Sequence, residues 1–242
     1  HEATIVLEAV WEYNEYNVTV TSQYKGAASA TELASSFVDG TTGGSATSNK
    51  ATYTNIETVT LIATIAEGYS FNGWYNAKTG EMINAGTTTG NTNTYTFAMP
   101  AEDLEIYARF TINAYTLTIN TFTKYGTEAD EGSIVGGTIS SSLVNLTRNE
   151  NVYTVSVYYG KTVSLTANAT VGYTFAGWFK ATTATGTADK TSPVTTEAMG
   201  VNGLTYSALF TANEYDVTLY TYVKVGEDTA KASNIGGTVS GA

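Results

Sequence analysis

Two adjacent acidic pairs, Glu102-Asp103 and Asp130-Glu131, are the densest carboxylate candidates in this chain of 242 residues. Paired carboxylates are the equipment of glycoside hydrolysis. Neither pair recurs at its matched place in the other half of the chain, and loop residues flank both, so solvated turns are the expectation. Calcium is the least implausible metal in an acidic chain, yet Glu128–Gly132 (EADEG) lacks the ligand spacing of a calcium loop. The single histidine is His1 at the terminus, and there is no cysteine. A Ser-His-Asp relay, a thiolate nucleophile and a zinc–thiolate site therefore have no material to be built from. The stretch Gly40–Lys50 (GTTGGSATSNK) has glycines and a lysine without the spacing or strand-to-helix context of a phosphate loop. Lys25, Lys124 and Lys224 each lie nine residues after a tyrosine (Tyr16, Tyr115, Tyr215), which raises the idea of a self-formed isopeptide crosslink. That chemistry needs a buried neutral lysine, and alternation from Tyr115 puts Lys124 with Thr116 and Thr118 on the outer face. The expectation is a chain that is not an enzyme, with no catalytic residue, cofactor or metal.

What such residues lack in chemistry, the surrounding elements supply in repetition. The octet GYSFNGWY at Gly68–Tyr75 returns as GYTFAGWF at Gly172–Phe179. Three further segments share one grammar: an aromatic (Trp11, Phe110, Phe210), Asn three residues later (Asn14, Asn113, Asn213) and Tyr five residues later (Tyr16, Tyr115, Tyr215). These joints recur after 99 and then 100 residues. Periods of this kind are the signature of a tandem array. The expected domains are 1–11 as the last strand of a preceding repeat, 16–110 and 115–210 as complete repeats, and 215–242 as the opening strands of a truncated third. A piece of a longer array explains both ends; the alternative is that each orphan end supplies a strand to a neighbouring molecule.

Thr, Val and Tyr dominate, which is strand chemistry, and period-2 alternation runs through segments such as Tyr115–Thr121 (YTLTINT). The fold class expected is all-β or nearly so, built of tandem small β-rich domains. Tyr153–Ala167 predicts two strands around a short Tyr159-Gly160-Lys161 hairpin turn, and Ser29–Val38 has the only helical leaning. Asn84–Asn93 and Ala181–Ser192 predict loops. Within the octet, Gly73 and Gly177 predict bulges that let Phe71 and Trp74, and Phe175 and Trp178, point inward together. With Phe110 and Phe210 these form the expected structural core; an exposed aromatic platform for a sugar is the competing reading. Asn17, Asn145 and Asn168 head glycosylation sequons of the kind common by chance in Thr-rich chains.

With 22 acidic against 11 basic residues the formal charge is −11, so the field repels phosphate backbones and anionic membranes. Nucleic acid is excluded as a partner. No apolar run approaches the length of a spanning helix, which excludes membrane insertion by that route. Four residues lie between the closing aromatic and opening tyrosine of each joint, with neither Gly nor Pro among them. Such a link is too short and too stiff in composition to be a flexible linker. Adjacent repeats are expected to hold a fixed orientation, with the matched Asn satisfying backbone groups at the crossing.

The run GYSFNGWYNAKTGE followed by YTFAMPAEDLEIYARF, and the run YYGKTVSLTANATVGYTFAGWF, resemble the divergent InlB B-repeat modules and their Listeria-Bacteroides relatives. The second repeat departs in having Gly200 where the first has Pro100. The resemblance implies β-grasp-like modules strung along secreted or wall-anchored bacterial surface proteins, with an immunoglobulin-like β-sandwich as the alternative fold. It implies an extracellular, non-catalytic spacer, stalk or adhesin segment. Expected partners are other repeats of the same chain or neighbouring copies, and a host or cell-surface glycan or protein. The rival readings are a self-assembling extracellular filament subunit using its terminal strands, a carbohydrate-binding module, and last an enzyme.

Overall fold

The computed structural model describes residues 7–127 and 131–218. His1, the stretch Glu128–Asp130, Lys224 and all beyond residue 218 fall outside the described residues, as does the side chain of Glu131. Every named element is a strand. The first repeat contains β1 (Glu15–Lys25), β2 (Val38–Asp39), β3 (Gly44–Ser48), β4 (Thr52–Thr54), β5 (Thr58–Ile65), β6 (Tyr69–Asn76), β7 (Met82–Asn84), β8 (Thr87–Thr89), β9 (Thr92–Ala98) and β10 (Leu104–Ile112). The second contains β11 (Ala114–Lys124), β12 (Glu131–Gly132), β13 (Gly137–Ser140), β14 (Thr147–Asn149), β15 (Val152–Tyr158), β16 (Ser164–Ala169), β17 (Tyr173–Phe179), β18 (Val194–Thr195) and β19 (Leu204–Ala212).

Alternation sets the faces. Along β11, Leu117, Ile119, Thr121 and Thr123 are buried while Thr116, Thr118, Asn120, Phe122 and Lys124 face outward. Such half-buried strands must cover one face, and each repeat does so with two sheets. In the first the order is β2-β1-β10-β6-β7, with β4 also on β1, against β3-β5-β9-β8. In the second it is β14-β15-β11-β19-β17, with β12 also on β11, against the smaller β13-β16-β18. The first and last strands of each repeat lie side by side and parallel, Val18–Lys25 along Leu104–Thr111 and Leu117–Lys124 along Leu204–Thr211. A parallel pair needs a crossover, and nearly the whole repeat serves as one. This central pair is the β-grasp-like feature. A second sheet covers the inner face where that fold class would place a helix.

Three local expectations are corrected. Ser29–Val38 forms bends and an isolated Ala27–Leu33 bridge before β2, not a helix; its Ser29 hydroxyl caps the Thr31 and Glu32 amides instead. Tyr153–Ala167 is not a hairpin, because β15 pairs with β11 and β14 while β16 pairs with β13 and β18. The Tyr158–Lys161 turn passes the chain from one sheet to the other. Asn84–Asn93 is not a loop: β8 returns on β9 through Gly90-Asn91, Gly90 taking the positive φ of 62° that the turn demands.

The outer faces of the two main sheets differ. In the second repeat Phe122, Phe179 and Leu209 pack under residues 181–188, with Ala184 buried and the Ser207 hydroxyl donating to Ala181 O at 2.6 Å. The matched positions of the first repeat are Gln23, Tyr75 and Arg109. There the Arg109 guanidinium lies 4.4 Å from the Tyr75 ring centre and 5.0 Å from that of Phe37, and its Nε donates to Gln23 Oε1 at 3.0 Å.

Candidate functional site: the aromatic fingerprint and the repeat joint

The fingerprint begins with a left-handed glycine, Gly68 at φ 78° and Gly172 at φ 90°, which turns the chain into β6 or β17. Two residues then oppose one. Phe110 faces Phe71 and Arg109 faces Gly73, so Asn72 is the extra residue; Phe210 faces Phe175 and Leu209 faces Gly177, with Ala176 extra. The bulges fall at Gly73 and Gly177, whose φ values of 137° and 148° suit glycine. Each bulge restores Trp to the face its Phe already occupies. Phe71 meets Trp74 edge-on at 5.2 Å and Phe175 meets Trp178 at 5.4 Å, with interplanar angles of 63° and 62°.

Trp74 is 0% and Trp178 1% exposed, and Phe110 and Phe210 are both 0%. Phe71 and Phe175 are half-buried against them. At roughly 200 Å² hidden per indole and about 25 cal/mol/Å², each Trp contributes on the order of 5 kcal/mol of burial. Neither indole is open to stack on a sugar. They differ in one polar detail. Trp74 Nε1 donates to Asn93 Oδ1 at 2.9 Å, whereas the buried Trp178 Nε1 has no acceptor among the described residues.

Between the repeats, β10 and β11 are separated by Asn113 alone. Its N–H donates to Gly68 O at 2.8 Å, its side-chain Oδ1 accepts from the Ser70 hydroxyl at 2.8 Å, and its Nδ2 reaches the Tyr115 hydroxyl at 3.5 Å. The Asn113 carbonyl accepts from the N–H of Tyr159 at 2.9 Å. The matched Asn meets backbone groups at the crossing through its own N–H and carbonyl, while its side chain binds hydroxyls of the fingerprint and the tyrosine. At the next joint Asn213 repeats the pattern, with its N–H to Gly172 O at 2.8 Å, Oδ1 from the Thr174 hydroxyl at 2.6 Å and Nδ2 to the Tyr215 hydroxyl at 3.4 Å.

Residues from the second repeat close over the first. The Tyr159 ring seats on Gly68 so tightly that a Cβ there would stand 2.2 Å from Tyr159 Cγ. The N–H of Tyr158 donates to Ala30 O at 2.9 Å, and Ala30 packs on the second repeat's core. Tyr69, beside this seat, has its phenol pKa raised by burial and by the neighbouring Tyr24 and Tyr159. Tyr16 and Tyr115 are half-buried on their own cores. Among the described residues Tyr215 is exposed, no described atom lies within 4 Å of a Cβ at Gly172, and Asn14 is exposed just before β1. Trp11, matched to the fully buried Phe110, is 89% exposed. Sequence reasoning missed Tyr159, Ala30 and Asn93. Tyr159 was visible as a turn residue, but nothing local says whose surface the turn meets.

The candidate chemical groups are dispersed. Asp103 Oδ1 accepts from the N–H of Asn17 at 2.7 Å and so fastens the start of β1; Glu102 is exposed beside it. Lys25 and Lys124 are half-exposed at the ends of β1 and β11. Among the described residues no group of three or more His, Cys, Asp or Glu side chains is gathered as a metal would require.

Comparison with known proteins returns matches to the divergent InlB B-repeat domain over residues 34–114 and 144–214, together more than half of the chain. Internalin H of Listeria monocytogenes serovar 1/2a is 32% identical over 148 residues, covering 61% of this chain and 20% of that protein. The chain thus spans about a fifth of that relative's length.

Proposed function

The chain belongs to the divergent InlB B-repeat domain family, and from that premise we propose that it is a non-catalytic spacer, a stalk-like segment of an extracellular bacterial surface protein that fixes the angle between successive repeats. As a repeat region with an internalin relative, it is of a bacterial surface or secreted type. One observation carries the spacer reading: β10 runs into β11 across the single residue Asn113, which is bonded to Gly68 and Ser70 on one side and Tyr159 on the other. Repeats that touch only their neighbours through such contacts act as one-dimensional arrays.

Because the chain has no cysteine, spin labels go where they are wanted. Cysteines at the exposed Glu81 and Val171 should give one narrow inter-repeat distance by double electron–electron resonance. A Gly-Gly-Ser insertion after Asn113 should broaden it. A broad distribution in the uninterrupted chain would defeat the spacer reading.

The filament reading is favoured by a different observation. Leu7, Val10, Trp11 and Tyr13 are 90%, 86%, 89% and 64% exposed, although Trp11 occupies the position that is wholly buried in both complete repeats. That lead-in has the residue pattern of a closing strand, and the filament reading takes a neighbouring molecule as its acceptor. Sedimentation at rising concentration separates the two: association that Trp11→Ala abolishes supports strand donation, and a monomer throughout rejects it.

A further inference from the structure

The two repeats finish the outer faces of their main sheets in different ways. In the second, residues 181–188 fold over Phe122, Phe179 and Leu209, and Ala184 is buried there. In the first, the segment after β6 turns back as β7 and pairs with β6, so it widens the sheet instead of folding over it. The outward residues that remain form rows across the ladder. Thr21, Tyr107 and Tyr75 make one row, and Gln23, Arg109 and Gly73 make the next. Tyr75, Tyr107 and Arg109 are half-buried.

Arg109 is fixed in this face from several sides. Its Nε donates to Gln23 Oε1 at 3.0 Å, and Gln23, only 9% exposed, donates from Nε2 to Asp39 Oδ1 at 2.9 Å. The rings of Tyr75, Phe37 and Tyr107 have their centres 4.4, 5.0 and 5.6 Å from the guanidinium carbon. Such a side chain is set in one attitude before any ligand arrives. What it lacks is an anion. Among the described residues no carboxylate pairs with Arg109, and its Nη groups have no acceptor. Lys25, whose ammonium lies 5.9 Å from the centre of the same Phe37 ring, has no carboxylate there either. In a chain with 22 acidic against 11 basic residues, two neighbouring cations without a counter-charge stand out.

A guanidinium held at Nε presents its Nη edge, which takes a carboxylate in two parallel bonds. The chain's formal charge of −11 repels a polyanion, so the ligand carries few charges. Tyrosine rings beside the cation add a flat apolar surface with a polar tip, which suits the C–H face of a sugar. A lone aspartate or glutamate side chain would use the cation and leave the rings idle. We propose that the outer face of the first repeat's main sheet, centred on Arg109, is a docking surface for a carboxylated sugar unit, its carboxylate on the Arg109 Nη edge and its ring against Tyr107. The second repeat has Leu209 in place of Arg109 and covers the face with its own chain, so the site belongs to one repeat alone. It goes beyond the spacer reading and stands without it.

The chain has two arginines, Arg109 and Arg148, so in the ¹⁵N-labelled full chain the Arg109 Nε–H is read by itself, assigned by its loss in Arg109→Lys. N-acetylneuraminate, glucuronate and galacturonate are titrated separately at low ionic strength to about 50 mM, the range in which millimolar affinity is measurable. Glucose, galactose, acetate and acetyl-glutamate-amide are run beside them. One of the sugar acids should move the Arg109 resonance saturably. The neutral sugars should leave it in place, and acetate and the blocked glutamate should bind about tenfold more weakly or worse. Saturation transfer to the ligand reads the variants. Arg109→Lys, which keeps the charge and loses the fork, should weaken binding about tenfold or more, and Tyr107→Ala should do the same. An unmoved Trp74 indole resonance marks a folded first repeat in each variant. Three results would overturn the proposal: no sugar acid moves the Arg109 resonance saturably, acetate or the blocked glutamate binds as tightly as the best sugar acid, or a folded Arg109→Lys chain binds as well as the parent.

Discussion

Substituting alanine at Gly68 and at Gly172 should have unequal costs, and the difference measures the seat of Tyr159. Both glycines are left-handed, at φ 78° and 90°, so either substitution costs about 1–2 kcal/mol in backbone strain. At Gly172 that is the whole cost within the described residues, since a Cβ there meets nothing within 4 Å. At Gly68 the same Cβ would stand 2.2 Å from Tyr159 Cγ and 2.3 Å from Cδ1, which no contact tolerates. The ring must leave or the backbone must shift, adding about 1–3 kcal/mol of overpacking. Urea unfolding followed at the Trp74 and Trp178 indole resonances reports the repeats separately. Gly172→Ala should lower only the second repeat; Gly68→Ala should lower the first and also decouple the second, which loses its footing. Tyr159→Ala in the Gly68→Ala background should recover the excess, closing a double-mutant cycle. Equal costs at the two glycines, within about 0.5 kcal/mol, would refute the claim that Tyr159 clamps the joint.

Asn93→Ala should destabilise the first repeat by about 1–3 kcal/mol, because it strands the Trp74 N–H in the interior; chemical denaturation read at Trp74 checks this. Trp11→Ala should leave the unfolding of both repeats unchanged, the side chain being 89% exposed, and a shift in either midpoint would contradict the assignment of that residue outside both cores. Glu57 has its pKa lowered, first by the Lys50 ammonium and then by the Thr54 N–H. Its contribution to the Thr54–Glu57 turn is therefore present above the ordinary glutamate pKa and is lost as pH falls through the depressed one. A carboxyl titration by NMR should show the lowered value, and Lys50→Met should raise it.

What was legible in the sequence was whatever depends on near neighbours. Alternation marked β11, the glycine at Gly160 marked a turn, and a glycine between Phe71 and Trp74 marked a bulge, because each is a short-range steric rule. Partner choice was not legible in that way. The parallel union of β1 with β10 joins residues such as Gln23 and Arg109, 86 positions apart, and no local pattern says that the opening and closing strands meet. The same limit hid the separation of β15 from β16: two alternating runs about a Gly look like a hairpin until β11 claims one of them. At the joint, the Asn-x-Tyr spacing could be read, but Tyr159 could not, since its role is set by the surface of another repeat.

The parallel pairing at the centre of each sheet has a mechanical consequence. The chain enters the first repeat along β1 and leaves along β10, and because these strands run the same way, entry and exit lie at opposite ends of one shared ladder. Tension along the chain loads the pairs from Val18 with Leu104 to Lys25 with Thr111 in shear, together. An antiparallel exit would let the same pull unzip them one at a time. The load passes directly from β10 through Asn113 into β11 and its ladder with β19, so the route that carries force is the innermost one in the molecule, and the variable outer segments are spared it.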